Sequence, residues 1–257
     1  MRKLLFISFL LFSVGNYEAQ DSASTSLHHI GFSFGLDQIK EENLIPKVHS
    51  GLISFVSYRL ETKNNTYNVF DFNFGYGIVN TEIENEAVSF NFQLSAGYCY
   101  DLFIVESNIL KYYLGPKIAY TSSLAEYGNF DEAHAYWGNY LSLGASNVIF
   151  LNVDSGKYFV FNLDLSVFGF YTRPEYNRLY SNEYWTVSHI FEIMNSHYKF
   201  GFPNNAFQLR ASAEYRTGIW DSNYLSLALS VYFSRIKAAD GKPLKELIPK
   251  FSIGIWL

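Results

Sequence analysis

The chain has 257 residues, of which 49% are apolar, 19% aromatic and only 17% charged, with a formal net charge of −5. A soluble domain usually carries about 25% charge, so the low value points away from a water-covered surface. The acidic balance, with no Lys/Arg cluster interleaved with aromatics, excludes a nucleic-acid partner. Cys99 is the sole cysteine, which excludes an intrachain disulfide and a Cys-based zinc site.

At the N-terminus, Arg2 and Lys3 precede an apolar run from Leu4 to Val14, with small residues at Ser13, Gly15 and Ala19. This is the pattern of a cleavable secretory signal, assigned to residues 1–19, with residues 20–257 as one domain. Cleavage after Gly15 and after Ala19 both stay open. The apolar run is about half of the roughly 20 residues that a spanning helix needs.

From there the dominant pattern is a two-residue period. Ile30, Phe32, Phe34 and Leu36 share one face of a first strand. A second, Gly51 to Glu61, alternates less cleanly. Phe70, Phe72, Phe74, Tyr76 and Ile78 mark a third. From Val88 to Leu102 every even position is apolar, while Ser89, Asn91, Gln93, Ser95, Gly97, Cys99 and Asp101 form the other face. The pattern continues through Tyr112 to Tyr120, Leu141 to Val153, Phe159 to Val167, Phe207 to Tyr215 and Leu225 to Phe233. It closes with Phe251, Ile253, Ile255 and Leu257. Alternation over such lengths gives strands with one greasy and one polar face, long enough to cross a bilayer when tilted.

About ten strands result, and their links alternate in length. Short turns are expected at Lys63–Thr66, Glu106–Asn108, Asp154–Lys157 and Asp221–Asn223. Long links are expected at Ile39–Ser50, Thr81–Ala87, Ser122–Asn139, Arg173–Asn205 and Ala239–Lys250. Short turns on one side and long loops on the other are the signature of a transmembrane barrel. A lipocalin-like soluble barrel would need all the Phe, Tyr and Leu inside, more bulk than a small barrel holds, and far more Lys and Glu outside. The expectation is therefore an all-β, antiparallel up-and-down transmembrane barrel. Reading Arg173–Asn205 as an additional hairpin would make twelve strands.

On this pattern the chain resembles the outer-membrane β-barrel proteins of Gram-negative bacteria, and its aromatic richness and Asn-rich turns look like those of Bacteroidota members. The resemblance implies an outer-membrane location, with lipid bilayer and lipopolysaccharide as surroundings. It also implies that the last strand, Phe251, Ile253, Ile255, Trp256 and Leu257, acts as a signal for the barrel-assembly machinery.

The expected inward face carries Asp71, Asn73, Asp101, Lys111, Lys117, Asn162, Asp164, Arg210, Glu214 and Arg216. Charges of both signs in a low-dielectric lumen need pairing, which predicts a salt-bridged filling; the same residues could line a narrow channel. Ten strands leave little room, since about eight give an interior just filled by side chains. Loop histidines offer a hydrolase reading: His49 beside Ser50, His134 near Asp131 and Glu132, and His189 beside Ser188 with Glu192. Neighbouring Ser and His point to opposite faces of a strand, so neither adjacent pair is a nucleophile and its base. His134, His189 and His197 match no metal-ligand spacing, and no metal or cofactor is expected.

The segment Arg173–Asn205 is expected to pack as a surface helix or hairpin over the barrel mouth. Its Tyr184 and Trp185, with Tyr136, Trp137 and Tyr140 from another long loop, are candidates for a partner-binding patch or for an interfacial aromatic girdle. The function expected is a non-enzymatic surface or accessory role, contacting a partner or ligand through the loops. A narrow channel and a loop-borne hydrolase are the alternatives.

Overall fold

The computed structural model describes residues 25–41, 47–63, 66–80, 86–102, 109–127, 134–173, 192, 194–220, 223–237 and 242–257. The strands are β1 (Thr25–Glu41), β2 (Val48–Lys63), β3 (Thr66–Asn80), β4 (Glu86–Asp101), β5 (Leu110–Tyr127) and β6 (His134–Asp154). They continue with β7 (Lys157–Thr172), β8 (Lys199–Gly201), β9 (Ala206–Trp220), β10 (Asn223–Ile236) and β11 (Leu244–Trp256). Ten of them are long, and each pairs antiparallel with its neighbours; β1 pairs with β11 and β6 with β7, so the sheet closes. Closure removes the sheet edges that neither lipid nor water could satisfy without aggregation. At the seam, the Leu257 amide donates to the His28 carbonyl at 2.7 Å and the His28 amide returns a bond at 2.9 Å.

The twelve-strand alternative gives way to a ten-stranded barrel. Among the described residues of Arg173–Asn205 the strand is the three-residue β8, which pairs with the end of β7 through Gly169–Gly201 and Tyr171–Lys199. Opposite Leu143 and Gly144 of β6 stand Phe168 and Ser166 of β7, which leaves Val167 as an extra residue. Such a bulge switches the faces of a strand. Asp164 and Ser166 point inward before it, Gly169 and Tyr171 after it, while Val167 and Phe168 are both exposed. Below the bulge β7 pairs with β9, above it with β8.

The face assignments read from alternation hold. Ile30, Phe32, Phe34, Leu36, Phe74, Ile78, Ile118, Phe161, Leu229, Phe251 and Ile253 are all exposed, forming an apolar belt around the outside. Phe168, Phe170, Phe200 and Phe202 cluster on that surface, with ring centroids 5.0 to 6.1 Å apart between neighbours. Among the described residues no helix is long and apolar enough to cross a membrane; this chain crosses with strands.

The strands run further than the alternation indicated. β5 extends to Tyr127 and β6 begins at His134, while β11 starts at Leu244, so the expected links Ser122–Asn139 and Ala239–Lys250 both shrink. Beyond the bilayer, water accepts polar groups on the outer face, and the two-residue contrast that marks a strand fades.

Candidate functional site

The inward face forms a continuous stack of side chains. At the end where the short turns lie, Tyr67, Val69, Cys99, Tyr113, Val148, Phe150 and Val160 make a buried apolar plug. Tyr67, Tyr113 and Phe150 pack with centroids 5.5 to 5.8 Å apart. Cys99 is fully buried here, as filler rather than as a reactive thiol.

Beside the plug lies an ionic cluster. Arg216, wholly buried, donates from Nη1 to Glu61 Oε2 at 2.9 Å, and from Nη2 to Glu61 Oε1 at 2.7 Å and Glu214 Oε2 at 2.9 Å. The Tyr67 hydroxyl donates to Glu61 at 2.7 Å and the Trp256 indole to Glu214 at 2.8 Å. The Arg216 guanidinium also lies 3.7 Å over the Trp256 ring, the planar stacking that arginine favours. Side chains of β2, β9 and β11 thus converge on one guanidinium, and β3 supports them through Tyr67, which fits the requirement that a buried ion pair be completed by further hydrogen bonds.

Arg59 links this cluster to the next, bonding Asp71 through Nε and approaching Glu214 at 3.7 Å. Lys117 bridges Asp164 at 2.7 Å and Asp71 at 3.4 Å, and Arg210 stands 3.7 Å from Asp71. Ser146 donates to Asp164 at 2.6 Å, with Asn162 alongside. Nearer the mouth, Glu246 accepts from Ser123 and Asn91, and Asp37 accepts from Ser89. A ring of Ile39, Val79, Ala87, Ala125 and Leu244 closes over them. These five lie two residues along their strands from the layer beneath, a step of about 7 Å. Two lumen cavities among the described residues are small, about 30 Å³ beside Lys117 and Arg210 and about 50 Å³ beside Arg59 and Lys250.

Of the residues proposed from sequence for the lumen, Asp71, Lys117, Asn162, Asp164, Arg210, Glu214 and Arg216 meet in these linked clusters, and Asn73 is buried among them. Asp101 and Lys111 do not; both are exposed at the short-turn end of β4 and β5. Their inward parity is right, but the lumen has ended there. Arg59 and Glu61 were missed because β2 also turns Ile53 and Phe55 inward, blurring its alternation. Of the last strand, Phe251, Ile253, Ile255 and Leu257 are exposed outside, whereas Trp256 is fully buried in the ionic cluster. The even spacing of Trp256 from Gly254 was the available signal.

The loop-aromatic expectation is corrected at two positions. Trp137 and Tyr140 lie in β6, not in a loop, and both are buried. Tyr140 points inward and donates to the Ala206 carbonyl at 3.3 Å. Trp137 shares the outward face with Asn139, and that face is covered by the returning chain, where Asn139 donates to the Met194 carbonyl at 2.7 Å. Tyr136 belongs to β6 with its side chain outside the described residues, as are Tyr184, Trp185, Ser188 and His189 altogether. His49 sits within β2, buried and facing inward, and His197 is exposed in a turn.

No family model and no curated protein matches the chain. Among solved structures, the outer membrane protease OmpT from Escherichia coli is similar at a TM-score of 0.55 and 5% identity, covering 92% of this chain and 98% of its own. The translocator domain of the autotransporter NalP from Neisseria meningitidis gives a TM-score of 0.44 at 11% identity, covering 99% and 95%. This is the outer-membrane β-barrel fold. An apolar belt on the outside of such a barrel makes a lipid bilayer its surroundings, and the outer membrane of Gram-negative bacteria is where barrels of this fold reside. At these identities the likeness concerns fold and not activity.

Proposed function

We propose that this outer-membrane barrel is a closed, non-enzymatic surface or accessory protein, whose extracellular segments, foremost residues 174–191, contact a protein partner or ligand. The observation that carries the reading is the filled lumen: ion pairs cross it from β2 to β9 and from β3 to β5 to β7. An apolar layer lies at each end, and the two cavities described between them have room for only a few waters. A barrel sealed by its own side chains offers its outside and its loops, not its interior, for work.

The same reading takes residues 1–19 as an export signal and 20–257 as the barrel domain of a Bacteroidota-like small barrel. Lipopolysaccharide would surround its outer leaflet, and the barrel-assembly machinery would read Phe251 to Leu257 during insertion. The deciding experiment is affinity purification from native outer membranes, with and without residues 174–191, alongside conductance in planar bilayers. A stoichiometric partner lost with the loop, and a silent bilayer, is the expected outcome. Steady ion conductance would replace this reading with a narrow channel.

A further inference from the structure

Cationic and anionic side chains are not evenly spread along the lumen, and one wall near its middle is left cationic. Arg59, Lys117, Arg210 and Arg216 share the four carboxylates of Glu61, Asp71, Asp164 and Glu214, while the buried Asp37 and Glu246 are taken up by Ser89, Ser123 and Asn91 a layer nearer the mouth. Asp71 alone serves Arg59, Lys117 and Arg210. The local excess falls on two side chains. Among the described residues Lys250 makes no ion pair; its ammonium rests 4.4 Å over the Phe55 ring, and its stem lies against Gly35, where a Cβ would meet Lys250 Cγ at 2.8 Å. Arg210 Nε and Nη1 are buried without a hydrogen-bond partner among the described residues.

Both border the cavity of about 50 Å³, together with the hydroxyls of Ser57, Ser212, Ser230 and Ser252. An uncompensated buried ammonium or guanidinium is costly, and unmade donors add to that cost. An ammonium, a guanidinium edge and hydroxyls that can turn a proton toward a guest make a donor-rich cradle. The space admits roughly three or four water-sized bodies, enough for a monatomic anion with some water but not for an organic phosphate. The two carboxylates bordering it, Asp71 and Glu214, are already held by Arg59, Lys117, Arg216 and Trp256, which leaves the opposite wall positive.

We propose that this cavity binds a small inorganic anion of halide size between Lys250 and Arg210. The guest supplies the missing negative charge and locks the middle of the barrel. The assignment is independent of whether the loops bind a partner.

The test uses the mature barrel folded into detergent micelles in bromide and crystallised, with anomalous scattering read at the bromine edge. A peak within hydrogen-bond distance of Lys250 Nζ and Arg210 is expected; a cavity holding water alone would overturn the proposal. In solution, the thermal unfolding midpoint of the wild-type barrel rises saturably as chloride replaces gluconate at constant ionic strength. Lys250→Met, which keeps the stem against Gly35, loses that dependence. A wild-type midpoint indifferent to chloride counts against the site, and the bromide map decides the matter if the variant does not fold.

Discussion

Arg216 shows what a single residue contributes. It is the largest charged side chain with no exposure at all, and two carboxylates and an indole ring hold it in place. Removing one member of such a buried pair strands the others, at a cost of about 3–5 kcal/mol. Arg216→Met should therefore lower the unfolding free energy in micelles by that amount. Glu61→Gln, which removes the charge that takes both guanidinium nitrogens and the Tyr67 hydroxyl, should do nearly as much. The double variant should cost less than the sum, because the two losses are one network; strict additivity in urea titrations would contradict the coupling. Trp256→Phe keeps the ring over Arg216 but orphans Glu214 Oε1, and should cost about 1–3 kcal/mol. Gly75 has a simpler constraint: a Cβ there would meet the Phe55 ring at 2.4 Å. Gly75→Ala should destabilise the barrel, and the loss should shrink when Phe55→Leu is added; equal losses in both backgrounds would exclude this clash as the cause.

At the scale of the element, β7 is the strand that departs from regularity. Its bulge at Val167 hands its upper edge to β8, and the chain returning to β8 is tied down by Asn139 to the Met194 carbonyl and by Thr172 to the Ser196 carbonyl at 3.0 Å. Replacing both donors, as Asn139→Leu with Thr172→Val, should free this segment. Trypsin cleavage after Lys199 in the folded barrel should accelerate while resistance elsewhere is unchanged; an unaltered rate would mean that β8 pairing alone holds it. How far the elements were legible follows the same physics. Where lipid touches one face and the packed lumen the other, as from Val88 to Tyr100, the sequence alternates and the strand is plain. Toward the mouth that contrast is lost. β11 begins Leu244, Lys245, Glu246, with Pro249 further on, and the β1–β11 register skips from Gly35–Lys250 to Gln38–Leu247 around that proline, as a residue without an N–H requires. The charge, the proline and the ladder gap made this half of the strand read as a loop. Glu246 and Lys250 went unrecognised with it, as did half of what makes the central cavity cationic. Asp71, Lys117 and Asp164 were legible because their strands alternate on both sides of them. Arg59, the partner of Asp71, and Glu61, the partner of Arg216, were not, because β2 puts apolar groups on the face that polar ones share.

For the whole molecule, the arrangement is inverted relative to a soluble protein: ion pairs fill the middle and Phe, Leu and Ile cover the outside. This makes the cost of an outward charge a measure of depth. Leu229, 64% exposed near the middle of β10, points into the belt, whereas Val48, 49% exposed, opens β2 at the rim opposite the short turns. Arginine on the lipid face costs about 2–4 kcal/mol at the bilayer midplane and about 0–1 kcal/mol near the interface. Leu229→Arg should thus lower the unfolding free energy in phospholipid vesicles by the larger amount and Val48→Arg by the smaller. In detergent micelles, which deform around a charge more readily, the difference should narrow. Equal costs in vesicles would mean that the belt is not seated in hydrocarbon, because the two side chains differ in height along the barrel far more than in exposure. The comparison also bears on the proposed closed lumen. A barrel anchored by its outside and filled within has no need of an open interior for stability, so the height of the belt can be mapped without disturbing the ion pairs that seal it.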